Sequence, residues 1–269
     1  MKLISKFLAL KKNFSSSKES LYVDSISEIS DHRIGVTEKG QPAFFIKTLQ
    51  PHKNFLDVNL EMITISFNQK CELISKAEVK EEGIYSTAIL KSGSDEMIEY
   101  FLDSINSLIL NLGNTPTTTQ VKIEFDKLID LFKHLKNPPK NTIQGLWSEL
   151  FFIEQSKNIE YVIKSWHSSR NDRFDFNDGV DKIEIKSTSK NERIHKFNHA
   201  QLSSSNGFSV FVGSVFSIET GEGKCINDLF KSIRLKTKNT DLIHKINLII
   251  SDTLGRDIER IYDVFFDYS

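Results

Sequence analysis

The chain has 269 residues, of which 39% are hydrophobic and 26% charged, and its 35 Lys and Arg against 36 Asp and Glu leave a formal net charge of -1. That balance excludes a disordered acidic tail, a collagen-like repeat and a disulfide miniprotein, and it provides no strongly basic coat for nucleic acid. At about 150 residues per domain the length corresponds to roughly two domains, enough to bury a real core.

The opening segment, residues 1–13, has a short apolar run broken by Lys6 and no small-residue cleavage site after it, so it does not read as a signal peptide. No apolar stretch reaches the ~18 residues of a membrane-spanning helix. Cys71 and Cys225 are too few for a four-thiolate zinc site or a disulfide framework, which points to a reducing, cytoplasmic setting.

Residues 31–90 are strand-like. Leu56, Val58, Leu60 and Met62 alternate with polar residues, and then Ile63, Ile65 and Phe67 continue on the other parity, which suggests a bulge or bend within one long strand. Ala43–Leu49, Cys71–Ser75 and Ile84–Leu90 are further strands. Ser94, with Asp95 and Glu96 after it, caps a helix whose stripe is Met97, Phe101, Ile105, Leu108 and Leu112. A second helix carries Phe125, Leu128, Ile129, Phe132 and Leu135, and Asn137-Pro138-Pro139 ends it. The domain boundary is placed there, giving a β-rich N-terminal domain with two helices over 1–137 and a second domain over 141–269.

In the second half, Ile143, Leu146, Trp147 and Leu150 form a helical stripe. Tyr161–Trp166 reads as a strand. Phe174–Phe176 and Lys182–Ser187 flank an Asp178-Gly179 turn signal and read as a hairpin. Ile194–Ser203 is a weak helix and Gly207–Ile218 a long apolar strand. Helices around Ile226–Arg234 and Leu242–Leu254 follow. The fold class is therefore α/β (α+β), with an αβββαβ core in which helices flank a mixed central sheet.

The chemistry lies in residues 172–186. Ile183 and Ile185 point to one face of a strand, and Glu184 and Lys186 to the other. If the turn centres on Gly179-Val180, Asp175 lies opposite Glu184. If it centres on Asp178-Gly179, Asp175 lies opposite Lys182, one diagonal away. Both registers put Asp175, Glu184 and Lys186 on one face. Two neighbouring carboxylates repel unless a cation sits between them. Hard oxygen ligands favour Mg2+, which binds through one or two carboxylates plus substrate phosphate and can activate a water. Lys186 can orient that water or offset the added negative charge. On the upstream helix, Glu149 falls just beyond the apolar arc, half-buried at the rim of a core.

The tripeptide alone is weak, because Glu-x-Lys occurs three times, at 78–80, 184–186 and 222–224. Only the middle copy has alternating apolar partners, an acid across a hairpin and an acid-bearing helix upstream. This order, with GLWSEL (145–150), RFDF (173–176), IEIKST (183–188) and RIHKFNHAQL (193–202), resembles the PD-(D/E)XK nuclease superfamily. More closely it resembles a prokaryotic PD-(D/E)XK family encoded in restriction-modification and phage-defence gene clusters. The resemblance is specific over residues 141–218 and looser elsewhere. It implies that Asp175, Glu184 and Lys186 are catalytic, that Glu149 assists the metal site, and that Gln201 is the polar residue of the following helix. Phe174 stands where the eponymous proline would precede the acid.

The expected activity is Mg2+-dependent (or Mn2+-dependent) hydrolysis of DNA phosphodiesters by an endonuclease. Asp175, Glu184, the Ile185 carbonyl and Glu149 would serve the metal. The expected partners are DNA, other subunits of a defence system and a possible second copy of the chain, with no membrane. The alternative is a non-catalytic subunit that uses the same fold to bind DNA or protein.

Each residue also has a plainer reading. Asp172 is a rival first acid or a solvated loop residue. Glu184 and Lys186 could be the solvent face of an edge strand. The run from Lys186 to His199 carries a local charge of +3, and Lys190, Arg193, His195, Lys196 and His199 could grip phosphates or simply be solvated. His195 and His199 have the spacing of a zinc pair, but no Glu follows His195 as the zinc-protease motif requires. Trp147 and Trp166 read as core, and Glu154 sits nearer the apolar centre where its helix is expected to end.

Overall fold

Alternating apolar residues over the first half build one largely antiparallel sheet. The structure, a computed structural model, describes residues 3–13, 21–26, 30–48, 55–75, 79–168, 172–190, 192–197 and 209–267. It divides into two compact units, 1–133 and 134–269, and the division falls in the last turn of a helix just before Asn137-Pro138-Pro139.

The first unit opens with α1 (Leu3–Asn13), a helix not expected from the sequence. Then come β1 (Leu21–Ser25), β2 (Arg33–Val36), β3 (Pro42–Lys47), β4 (Val58–Asn59), β5 (Ile63–Ser75) and β6 (Lys80–Leu90). They form a sheet in the order β1-β2-β3-β6-β5-β4, and β1 also pairs in parallel with β5, which closes the sheet on itself. Val23, Ala43, Phe45, Leu73 and Tyr85 fill one cluster of its core. Phe44, one residue from Phe45 and so on the opposite face, packs edge-on against Phe101 of α2 (Asp95–Leu112) at 5.7 Å. Ser94 caps α2 by accepting from the Met97 N–H. Thr117 and Gln120 make reciprocal side-chain bonds at the start of α3 (Thr118–His134), a capping box.

The parity switch at Met62–Ile63 is a chain reversal and not a bulge in one strand. Val58 pairs with Ile65, and the Leu60 N–H donates to the Ile63 carbonyl. The apolar set changes parity because the strand itself changes. The register does slip further on, between Ser66 and Gln69, where Asn68 takes a left-handed φ of 52°.

The second unit begins with α4 (Ile143–Gln155), capped by Thr142, and α5 (Ile159–Ser165). The latter corrects the expected strand at Tyr161–Trp166. Asn158 accepts from the Tyr161 N–H as an N-cap, and Ile159, Ile163 and Trp166, spaced four and three apart, are the buried apolar residues. That spacing is a helical face, which a reading in steps of two misses. A mixed three-stranded sheet follows. β7 (Phe176–Asn177) runs antiparallel to β8 (Asp181–Thr188), and β8 runs parallel to β9 (Ser209–Phe216). Of the expected helix at Ile194–Ser203, residues 194–197 are irregular and 198–203 lie outside the described residues. β10 (Ile218–Thr220), α6 (Ile226–Lys236), α7 (Thr240–Leu254), a 3-10 turn at Gly255–Ile261 and β11 (Phe265–Asp267) complete the unit, with β10 and β11 paired. Among the described residues no helix is long and apolar enough to cross a membrane.

Candidate active site

The Asp178-Gly179 signal becomes a tight turn. Asp178 Oδ1 accepts from the N–H groups of Val180 and Asp181 at 2.8 and 2.7 Å, and Gly179 takes a φ of 95° that side chains disfavour. Phe176 pairs with Ile183 and Asn177 with Lys182. The turn therefore centres on Gly179-Val180, and Asp175 lies opposite Glu184. Phe174 and Phe176 are buried, which turns Asp175 between them to the other side. Its Oδ2 accepts from the Ile185 N–H at 2.6 Å. The N–H and carbonyl of a strand residue face the same edge, so the Ile185 carbonyl opens toward Asp175 as well.

The second carboxylate comes from α4. Ile143, Leu146, Trp147, Leu150 and Ile153 are buried as the stripe requires, but so are Ser148, Glu149 and Glu154. The helix packs against β8, α5, α6 and α7 at once, so polar positions outside its apolar arc are also covered. Glu149 is accordingly 6% exposed, inside the unit and not at a half-open rim. A carboxylate in that position needs donors. The Trp166 Nε1–H donates to Glu149 Oε2 at 2.7 Å, and His167 Nε2 lies 3.0 Å from the same oxygen.

His167 was not among the residues singled out from the sequence. It follows the end of α5, where Trp166 makes an isolated bridge to Phe176 and the His167 N–H donates to the Asp175 carbonyl at 2.8 Å. That pairing puts the imidazole beside the acid of the hairpin. Donor atoms of Glu149, His167 and Asp175 all lie within 4.8 Å of one another. The only sequence signal for it was its position after a tryptophan whose indole needs an acceptor when buried.

Glu184 is not one of that triad. It is 4% exposed on the middle strand of the described sheet, which overturns its plainer reading as an edge-strand solvent face. Its Oε1 lies 2.5 Å from the Lys186 ammonium, and that ammonium also sits 5.7 Å from the centre of the Phe197 ring. Burial, and then the charges of Glu149 and Glu184, push the Asp175 carboxyl up to about 7, against the Ile185 N–H and His167. Burial pulls the His167 imidazole down, but the hydrogen bond and charge of Glu149 outweigh it and its pKa is raised. Among the described residues, the carboxylates of Glu149, Asp175 and Glu184 gather here with Lys186 and His167. Such an excess of oxygen anions in a buried place fits a divalent cation, with Asp175, Glu184, Glu149 and the Ile185 carbonyl as the available oxygen donors.

The rest of the predicted set is less concentrated. Arg193 donates to the Ser214 carbonyl at 3.1 Å and His195 Nε2 lies 2.7 Å from Ser214 Oγ, so both line β9. Lys190 and Lys196 are exposed. His199 and Gln201 lie outside the described residues, and with them the zinc pair that His195 would need. Asp172 is half-buried and does not join the triad. Glu154 is structural: Ser232 Oγ and Lys236 Nζ both bond its Oε1, at 2.7 and 2.9 Å, and hold its carboxyl below the usual range despite burial.

Comparison with known proteins adds one match. The profile of a family described as "Putative PD-(D/E)XK family member, (DUF4420)" matches residues 5–269. No curated protein and no solved structure matches the chain.

Proposed function

Because the chain belongs to this PD-(D/E)XK family over nearly its whole length, we propose that it is a metal-dependent DNA endonuclease of a restriction or phage-defence system. The observation that carries the reading is the meeting of Glu149 from α4 with Asp175 and Glu184 from the hairpin, beside Lys186. A divalent cation, Mg2+ or Mn2+, would be held by Asp175, Glu184 and the Ile185 carbonyl, with Glu149 assisting. When bound it would stabilise charge on the phosphoryl oxygen and lower the pKa of water.

The chain's own residues prepare that chemistry. The Ile185 N–H fixes one oxygen of Asp175 and leaves the other to a cation. Lys186 offers an ammonium at the edge of the carboxylates, where it can orient an attacking water and balance the charge that develops on phosphate. Burial of Glu149 and Glu184 keeps bulk water from screening these charges. Arg193, His195, Lys190 and Lys196 supply positive charge for backbone phosphates, a term that weakens with salt. A net charge of -1 implies modest non-specific affinity for DNA, so a partner subunit or a second copy of the chain would help to hold the substrate.

The test is cleavage of duplex DNA with Mg2+ or Mn2+ by the wild type, Glu184→Ala and Lys186→Ala. Cleavage by the wild type and a loss of a hundredfold or more in either variant supports the reading. Equal cleavage by all three overturns it. No cleavage with any divalent ion, alone or with proteins encoded nearby, favours a non-catalytic binding subunit.

A further inference from the structure

We infer that His167 is a direct ligand of the catalytic cation, and that its nitrogen makes the site prefer Mn2+ to Mg2+. The inference rests on the nuclease reading above but concerns a residue and a preference that reading does not require.

Four observations carry it. First, His167 Nε2 and Glu149 Oε2 lie 3.0 Å apart, and an Asp175 oxygen completes a set within 4.8 Å. Atoms this close could serve one cation once the hydrogen bond between them gives way to it. Second, Glu149 does not depend on the imidazole for a donor, because the buried Trp166 indole bonds the same oxygen at 2.7 Å. Third, the backbone of His167 is held in an uncommon shape. Its φ is 42°, in the left-handed region, and its N–H is tied to the Asp175 carbonyl. Strained backbone of this kind persists where the surroundings over-determine it and clusters at functional sites. Fourth, the segment before it is anchored. Lys245 of α7 donates to the carbonyls of Ile163 and Lys164, both at 2.9 Å, and so fixes the end of α5 from which His167 projects.

The consequence is one of ligand softness. Carboxylate and carbonyl oxygens suit Mg2+ and Mn2+ alike. Imidazole is a borderline donor that suits first-row transition ions and adds little for Mg2+. Added to the oxygens of Asp175, Glu184 and the Ile185 carbonyl, with Glu149 assisting, the His167 nitrogen therefore ranks Mn2+ above Mg2+.

The experiment uses the full chain and the ions alone, without DNA. Calorimetry measures Mn2+ and Mg2+ affinity, and pulsed electron paramagnetic resonance detects nitrogen bound to Mn2+. His167→Asn and His167→Asp are suitable variants because Asn and Asp tolerate left-handed backbone, and circular dichroism checks that each folds. Expected are a nitrogen coupling in the wild type, a loss of Mn2+ affinity of about tenfold or more in His167→Asn, and in His167→Asp retained binding with a narrowed preference for Mn2+. Absence of the nitrogen signal from bound Mn2+, or an equal loss for both ions in His167→Asn, overturns the assignment and leaves the nuclease reading standing. A wild type that binds neither ion overturns the assignment of His167 as a ligand, while cleavage of DNA decides the nuclease reading separately.

Discussion

The indole Nε1–H of Trp166 donates to Glu149 Oε2 across 2.7 Å, with Trp166 fully buried and Glu149 nearly so. A core tryptophan thus holds a carboxylate that no apolar core would accept unpaired. Trp166→Phe keeps most of the packing and removes the donor. It should destabilise the protein by about 1–3 kcal/mol and loosen the Glu149 carboxylate, lowering Mn2+ affinity. Thermal melts and calorimetry check this, and a melting temperature equal to the wild type would show that the bond carries no weight.

Asp175 gives a pH signature. Its carboxyl is pushed up to about 7 from an ordinary 3.8, so the folded protein holds this proton more tightly than the unfolded chain. The associated stability is complete below about pH 4 and is lost as pH rises to about 7. Asp175→Asn is neutral throughout and still offers an oxygen to the Ile185 N–H. In EDTA it should be more stable than the wild type at pH 8, by roughly 1–3 kcal/mol, with the difference vanishing at pH 4. Urea titrations at the two pH values measure it. A variant less stable at pH 8 would contradict the crowding of carboxylates.

His32, in the first unit, has the opposite sign. It is fully buried, its Nε2 lies 2.8 Å from the Gly113 carbonyl and its Nδ1 accepts from the Lys47 N–H at 3.3 Å. That pattern requires the neutral ring, and burial holds its pKa below the ordinary 6.5 despite the Gly113 bond and the nearby Asp31. The unfolded chain therefore takes up the proton first, and stability is lost as pH falls below about 6.5. His32→Leu should be less stable than the wild type at pH 7.5, because it strands two backbone groups, and the gap should narrow at pH 5.5. A constant gap in chemical denaturation would exclude this role.

Gly255 ends α7 with a φ of 51°, and a Cβ there would lie 2.1 Å from the Asn137 carbonyl oxygen, which accepts from the Arg256 N–H. Neither the left-handed shape nor the close backbone approach admits a side chain. Gly255→Ala should cost about 2–3 kcal/mol, read as a shift in the urea midpoint at unchanged slope. Gly93→Ala, where a Cβ meets nothing within 4 Å, serves as the mild comparison.

Much of this architecture was legible in the sequence where one neighbour informs another. Ser94 caps its helix, the residues flanking Asp178-Gly179 pair as a hairpin, and Phe174 and Phe176 set the facing of Asp175. The failures have equally local causes. Tyr161–Trp166 carries β-branched and aromatic residues in a run too short to separate a period of two from one of 3.6, and the Asn158 cap decided for helix. At Met62–Ile63 the apolar parity alone did not distinguish a bulge from a reversal.

The sequence by itself determined that residues 172–186 form an acid-bearing hairpin with Glu184 and Lys186 on one face, because side-chain alternation and turn chemistry depend on residues only a few positions apart. Tertiary structure alone decided which register that hairpin adopts and that Glu149 is buried in a helix covered on several sides. It alone decided that His167, 18 residues along the chain from Glu149, stands 3.0 Å from its carboxylate. Those outcomes depend on how α4, α5 and the strands pack. No spacing within a single element encodes a contact whose two partners belong to different ones.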